Sequence, residues 1–538
     1  MLSKCGDFTK MKTKISILDT TLRDGQQSPG AAMSYDDNLT YAKMAEDIGV
    51  DIIEAGFPAA SKMEFNIVKA IANNAGQSVA IAALSQLKEA QMEACANALI
   101  SGNGRKIIHT YFPVSPDLIK ASIGEGKIGH IPSLVRSLFG KFSKDFDIQF
   151  SLEGFSRSTI DNSFVVDLLR AAVESDVEVI NLPDTIGGDV FCCGGSVFDK
   201  AQYYYNILCN EYGRERINRI VWSVHFHNDF GLAVANSINS IYASNVLKPD
   251  GVRITQVEGC FTGVGERAGN ASIEQIAMII AKKIPQFETN IKTPKIKNIC
   301  DFVSSKMLRV QKHYPIIGEN AFSHSSGGHV NAILKDPNAY HPFHPEEVGG
   351  KLNIIFSHSS GGNHAQEIVN RHRGTITDSE KAKFALFVKE KCILDRKGIS
   401  DIKVMNAYYE FKSKYKNCEI NINESGEYCI SPIGIVIKNT EKSPLSILEA
   451  EMAKINPRFS NIRVSNFESY MDILPNNNRK MGSDACAISS ITLMSEIGNE
   501  QDFSGVGKHK NTEASLLLAY LDALGKMAVW LDNKPVDY

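Results

Sequence analysis

The sequence predicts an α/β fold: a (β/α)8 TIM barrel followed by a helical linker region and a C-terminal α/β domain. Three observations predict it. Eight short apolar runs recur over about the first 285 residues, each run leads into a stretch of helical periodicity, and polar residues with chemical potential gather just after the runs.

The runs are Ile15–Leu18, Asp51–Phe57, Ser78–Leu84, Lys106–Phe112, Asp147–Leu152, Val177–Leu182, Ile220–Phe226 and Ile254–Glu258. Each is nearly continuous rather than alternating, which is how a strand buried on both faces reads. Between them lie helical patterns such as Asp36–Ile48, Glu64–Ala72, Gln86–Leu99, Asn162–Glu174, Leu232–Ala243 and Ser272–Lys282. In the last, Ile273, Ile276, Ala277 and Ile280 fall at helical spacing. An open doubly wound sheet is the rival arrangement. It would carry a Gly-rich dinucleotide turn after the first strand, and TTLRDG is not one.

Residues 291–404 read as helical linker subdomains. They contain FSHSSGG twice, at Phe322–Gly328 and Phe356–Gly362, and two copies do not make a repeat array. Residues 405–538 change character. A polar stretch (Ser413–Tyr428) precedes a Gly-punctuated, strand-like region (Ala485–Gly507) and a closing amphipathic helix (Glu513–Ala528). With a catalytic barrel over 1–290, the 538 residues form three domains.

A hydrophobic content of 43% supports a large core without disulfides. A net charge of −3 with no basic stripe argues against nucleic acid as a partner. The 11 cysteines include no CxxC pair, and Cys192-Cys193 is their one cluster, so reduced thiols in the cytoplasm are expected. The first residues, MLSKCGDFTKMKTK, lack the apolar centre of a signal peptide, and no run of 18 apolar residues predicts a membrane span.

Barrel chemistry sits at the C-terminal ends of strands. After the first run, LDTTLRDGQQSPG places Arg23 beside Asp24. Taken alone, this pair reads more readily as a capped loop with a surface ion pair than as a joint site for a metal and an oxyanion. At the end of the seventh, HFHND places His225 and His227 two residues apart, on one face of a strand, which makes half of a metal site. After the eighth, GVGERAGN offers Asn270 or Glu266 to complete an N/O ligand sphere with open positions. His109, Glu153 and Thr185 follow the fourth, fifth and sixth runs. Each is weak alone, and their value lies in converging on one mouth.

Four motifs in order, DTTLRDGQQSPG, IEAGFP, HFHNDFGLAVANS and QVEGCFTGVGERAGN, resemble the isopropylmalate synthase and homocitrate synthase family of the DRE-TIM metallolyases, over most of Ile15–Lys282. The resemblance implies an acyltransferase that condenses acetyl-CoA with 2-oxoisovalerate to give 2-isopropylmalate and CoA, the first committed step of leucine biosynthesis. A sister synthase making citramalate or homocitrate, and a catalytically weak amino-acid-sensing paralogue, are the alternatives. It implies Asp24, His225, His227 and Asn270 as ligands of a divalent metal (Mn2+, Zn2+ or Mg2+), with K+ as a further cofactor candidate. Arg23, His109 and Thr185 would contact the 2-oxo acid, and Glu153 would assist near the metal.

Beyond the barrel, AFSHSSGGHVNAILKDP resembles the family segment that carries the catalytic base. His329 falls on that base and Tyr340 on its partner, both serving the partner subunit's barrel in a homodimer. The stretches GSDACAISS and FSGVGKHKNTEASLLLAYLDALGK resemble the family's leucine-sensing domain. The sequence departs from the family pattern at Val330-Asn331, where Gln-Asp is usual, at Gly188-Asp189-Val190, and at an insertion over Ser244–Pro249.

Overall fold

The computed structural model describes residues 12–124, 128–336, 338–395, 399–413, 415–438, 440–472, 486–495 and 501–533. The chain forms two compact units: Met1–Phe322 with Pro342–Leu352, and Ser323–His341 with Asn353–Tyr538.

The first unit is a closed barrel of eight parallel strands. These are β1 (Ser16–Asp19), β2 (Ile52–Glu54), β3 (Ala80–Gln86), β4 (Lys106–Pro113), β5 (Asp147–Glu153), β6 (Val179–Asp184), β7 (Val221–Phe226) and β8 (Ile254–Gly259). Closure comes from β1 pairing β8 in the register Ser16↔Gln256 and Asp19↔Gly259. Each strand is followed by a helix: α1 (Tyr35–Ile48), α2 (Lys62–Asn74), α3 (Glu89–Leu99), α4 (Ile131–Phe142), α5 (Ser163–Glu174), α6 (Val197–Tyr212), α7 (Ala233–Tyr242) and α8 (Ile273–Lys283). Local chemistry sets their starts. Ser34, Ser61 and Asn162 accept backbone N–H groups of the first turns of α1, α2 and α5, and Ser196 with Asp199 forms a capping box on α6.

The expected positions differ from these mainly at the ends. The helix expected from Gln86 starts at Glu89, because β3 runs on to Gln86 and pairs Tyr111 of β4. The insertion near Ser244 is absorbed as a π-helical turn, Ala243–Leu247, at the end of α7. Outward strand residues such as Ile17, Ile53, Ile148, Val224 and Val257 pack with the helices in one large core. Inside the barrel, Leu18, Ile52, Ala80, Ala82 and Ile107 form an apolar cluster, whereas Gln149, Ser223 and Gln256 form a buried polar one.

In the second unit the two FSHSSGG segments lie against each other but are not built alike. Ser323–His324 of the first pairs in parallel with Asn353–Ile354, which precedes the second. The hydroxyls of Ser357, Ser359 and Ser360 donate to the Ser325 carbonyl. Each segment leads into a helix, α9 (Gly327–Lys335) and α10 (Gly362–Arg371).

Two three-stranded antiparallel sheets follow: β9 (Glu419–Ile422), β10 (Tyr428–Ser431) and β11 (Ile435–Ile437), then β12 (Ile462–Asp472), β13 (Cys486–Ser495) and β14 (Asp502–His509). The last helix, Thr512–Asp532, is buried along most of its length rather than amphipathic. Gly505 and Gly507 let its backbone settle on β14, since a Cβ at either would lie 2.1 Å from a helix carbonyl. This helix has the length and composition to cross a membrane, but 78% of its apolar window is buried in the unit's core. The GSDA half of the leucine-domain resemblance, Gly482–Ala485, lies outside the described residues.

Candidate metal centre at the barrel mouth

On β7, Trp222, Val224 and Phe226 point out to the helices, so Ser223, His225 and, one step further, His227 point in. The two imidazoles share one face with their Nε2 atoms 3.2 Å apart. Asp24 enters from the loop after β1, its Oδ2 lying 3.8 Å from His225 Nε2 and 3.9 Å from His227 Nε2. Ring closure makes this meeting possible, because β1 and β7 both flank β8.

The loop after β8 brings Asn270 alongside. His227 bridges Asn270 backbone to backbone, and Asn270 Nδ2 donates to Asp24 Oδ1 at 3.0 Å. The loop is drawn tight by Asn270 N–H donating to the Gly263 carbonyl. Gly269, at φ +90°, would place a Cβ 2.0 Å from that carbonyl, so the position needs glycine.

These residues fit a divalent cation. Two ligands of one ion, each at about 2.0–2.2 Å, lie at most about 4.4 Å apart. The Asp24, His225 and His227 ligand atoms fall inside that limit. Burial pushes both imidazoles down, His225 to about 3, so each is neutral and offers a lone pair. Burial alone would raise the Asp24 carboxyl, but the Arg23 guanidinium beside it and the Asn270 amide that donates to it hold it well below the usual carboxylate range. Asn270 Oδ1 is buried with no hydrogen-bond partner, a spare oxygen donor beside the group. Glu266 lines the same cavity but is not part of the ligand group.

Around the group is a cavity of about 540 Å3 lined by Arg23, His109, Glu153, Thr185, Glu266 and Arg267, among others. Arg23 is held from two sides, its Nη1 donating to Asp24 at 2.7 Å and its Nε to Glu54 at 2.6 Å. His109 places Nδ1 2.6 Å from Glu54 Oε1 and Nε2 2.7 Å from Ser151 Oγ. Thr185 Oγ1 accepts from the Gly154 N–H, which leaves its own proton to donate. Glu153 is half-buried, and burial raises its pKa against the pull of Arg23. Arg267 ties the loops after β6, β7 and β8 through Asp229 and the Thr185 carbonyl.

His329 and Tyr340 belong to the second unit, where their rings stack at 4.0 Å and 18°. His324 Nε2 lies 2.8 Å from His341 Nε2 beside them. Sequence reasoning passed over Glu54, Glu258 and Gln149. All three are buried inside the barrel. The available signal was an acid or amide within a strand-like run, as in IIEAG and TQVEG.

A closed (β/α)8 barrel with a buried Asp–His–His group at its mouth defines a TIM barrel with a divalent-metal site. The HMGL-like family matches residues 14–303, and the homocitrate synthase post-HMGL domain-like family matches residues 316–395. The chain belongs to the HMGL-like family of DRE-TIM barrels. It is 31% identical over 540 aligned positions to a 2-isopropylmalate synthase of Nitrosomonas eutropha, covering 96% of this chain and 98% of that one. It is 34% identical over 415 positions to a 2-isopropylmalate synthase of Saccharolobus solfataricus, covering 74% of this chain and 98% of that one. A solved HMG-CoA lyase from Bacillus subtilis is similar over 55% of this chain and 94% of its own, at 19% identity and a TM-score of 0.43.

Proposed function

We propose that the chain is an acyltransferase condensing acetyl-CoA with 2-oxoisovalerate to give 2-isopropylmalate and CoA, at the start of leucine biosynthesis. The observation that carries this reading is the convergence of Asp24, His225 and His227 on a cavity that also holds a clamped arginine, in a chain with isopropylmalate synthases as full-length relatives. The cavity is within the roughly 300–1,000 Å3 of small-molecule sites. Phe57, Leu84, Tyr111 and Pro183 give it apolar walls for a branched side chain.

Asp24, His225, His227 and Asn270 would hold the divalent ion, Mn2+, Zn2+ or Mg2+. Once bound, it supplies Lewis acidity toward the carbonyl of the 2-oxo acid. Arg23, fixed by Glu54, stabilises the negative charge that builds on the former carbonyl oxygen. The Thr185 hydroxyl donates to the substrate carboxylate, and His109, its Nδ1 anchored by Glu54, lines the oxo-acid side. His329, with Tyr340 stacked on it, removes a proton from the acetyl methyl group of a substrate bound to a partner copy's barrel in a homodimer. The new carbanion adds to C2, forming the carbon–carbon bond. Water then hydrolyses the thioester and releases CoA thiol. Glu153, with its raised pKa, serves near the metal as a proton carrier. In this reading residues 1–290 are the catalytic domain, 291–404 the linker subdomains and 405–538 a leucine-binding regulatory domain.

The test is CoA-thiol release from acetyl-CoA against a panel of 2-oxo acids, with and without added Mn2+, Zn2+ or Mg2+. Metal-dependent release favouring 2-oxoisovalerate is expected. Preference for pyruvate or 2-oxoglutarate would move the assignment to a citramalate or homocitrate synthase. No release with any oxo acid and any metal would sink the reading.

A further inference from the structure

His225 presents Nε2 to Asp24 and His227, so its other ring nitrogen, Nδ1, points back into the barrel wall. That Nδ1 is buried and makes no hydrogen bond in this structure. Glu258 of β8 is the one carboxylate within 4 Å of it among the described residues, with Oε2 at 3.4 Å. Glu258 is itself 1% exposed. Its other oxygen, Oε1, receives the Gln149 Nε2 amide. Gln149 is steadied in turn by Gln256 Nε2, which donates to its Oε1 at 3.0 Å and to Ser223 Oγ at 3.2 Å. A carboxyl group is thus held in place directly behind one imidazole of the metal group. His227 Nδ1 is also buried without a hydrogen bond, and no carboxylate lies within 4 Å of it among the described residues.

We propose that Glu258, braced by Gln149, is the positioning residue of the metal centre, acting on the ion through His225 Nδ1. This rests on the reading that Asp24, His225 and His227 hold a divalent ion. An imidazole that gives its Nε2 lone pair to a cation must carry its proton on Nδ1. A buried N–H left without an acceptor is destabilising, and a carboxylate behind it fixes both the tautomer and the ring plane while making the ring a stronger donor. Glu258 supplies that acceptor to His225 alone. The two histidines are therefore unequal: His225 is the fixed ligand, and His227 is the one free to adjust as substrate enters. The competing account is that Glu258 and Gln149 only fill a polar layer of the barrel, as Gln256 and Ser223 do.

The experiment measures Zn2+ affinity of the full-length protein by competition with a chromophoric chelator, for wild type, Glu258→Gln and Gln256→Ala. Glu258→Gln keeps the shape and removes the charge. It is expected to weaken Zn2+ binding by roughly 10- to 100-fold, and Gln256→Ala, which leaves the Gln149–Glu258 contact in place, by a clearly smaller factor. In zinc-loaded wild type, 15N-histidine NMR is expected to show His225 protonated at Nδ1 with a downfield, carboxylate-bonded proton. That readout needs no variant to fold. Unchanged Zn2+ affinity in Glu258→Gln, equal losses in both variants, or a His225 Nδ1 proton without the downfield shift of a carboxylate bond overturns the proposal while leaving the metal centre standing. Absence of Zn2+ binding by wild type overturns the metal reading itself, and this inference with it.

Discussion

Glu54 holds the oxyanion side of the mouth together, and replacing it with glutamine should be felt as a loss of barrel stability before any loss of chemistry. Its carboxylate is fully buried and takes three donors: Arg23 Nε at 2.6 Å, His109 Nδ1 at 2.6 Å and Thr20 Oγ1 at 2.5 Å. Burial alone would raise this carboxyl, but Arg23 and His109 outweigh it and bring it from 4.5 down to about 2. By linkage that difference amounts to roughly 3 kcal/mol of stability at neutral pH. Breaking a buried ion pair from one side typically costs about 3–5 kcal/mol, so two independent routes agree on the scale. The sign follows from the depressed pKa. The stabilisation is complete above pH 4.5 and is lost as pH falls through about 2.

The assay is urea unfolding followed by tryptophan fluorescence. The chain has two tryptophans, so a Trp530→Phe background leaves Trp222, buried in the barrel, as reporter of the first unit alone. Glu54→Gln in that background should lose roughly 3 kcal/mol at pH 7, with the gap narrowing as pH drops from 4.5 toward 2. A loss under about 1 kcal/mol, or one independent of pH, would refute the view that Arg23 is fixed by a buried charge.

Glu274 behaves oppositely. Burial pushes its carboxyl from 4.5 up to about 7, so its contribution is present below 4.5 and declines as pH rises through 7. Glu274→Gln should therefore match wild type at about pH 4 and be more stable at pH 8 by up to roughly 3 kcal/mol in the same unfolding assay; a constant offset at both pH values would contradict this. Gly265→Ala would place a Cβ 2.2 Å from Asn270 Nδ2 and 3.2 Å from Asp24 Oδ1. It should weaken divalent-metal binding about tenfold or more by calorimetry, since a 1.4 kcal/mol disturbance suffices. Gly505→Ala would set a Cβ 2.1 Å from the Ala519 carbonyl. It should destabilise the second unit by about 1–3 kcal/mol or more, read from Trp530 in a Trp222→Phe background, and unchanged stability would mean the helix can shift away.

The barrel was legible because its strands are buried on both faces, so they stand out as continuous apolar runs whatever their partners. Asp24, His225 and His227 were legible for a related reason. Two residues apart on a strand fixes one shared face, and a strand end fixes the mouth. The terminal helix was misread as amphipathic, since its polar residues are few and its packing partners lie on more than one side.

By itself, the sequence determined the eight-fold alternation of strand and helix, the mouth at which chemistry collects, and the same-face pairing of two histidines. These follow from periodicity and local geometry, which any short window of chain carries. Only the tertiary structure decided which loops meet. Closure of β1 on β8 sets Asp24 against Asn270 across 246 residues of chain. Pairing of β1 with β2 turns Glu54 toward Arg23, and pairing of β7 with β8 stands Glu258 behind His225. Those contacts depend on the register and stagger of a closed ring. No short window of the chain carries that information, because each strand reads the same wherever it sits in the barrel.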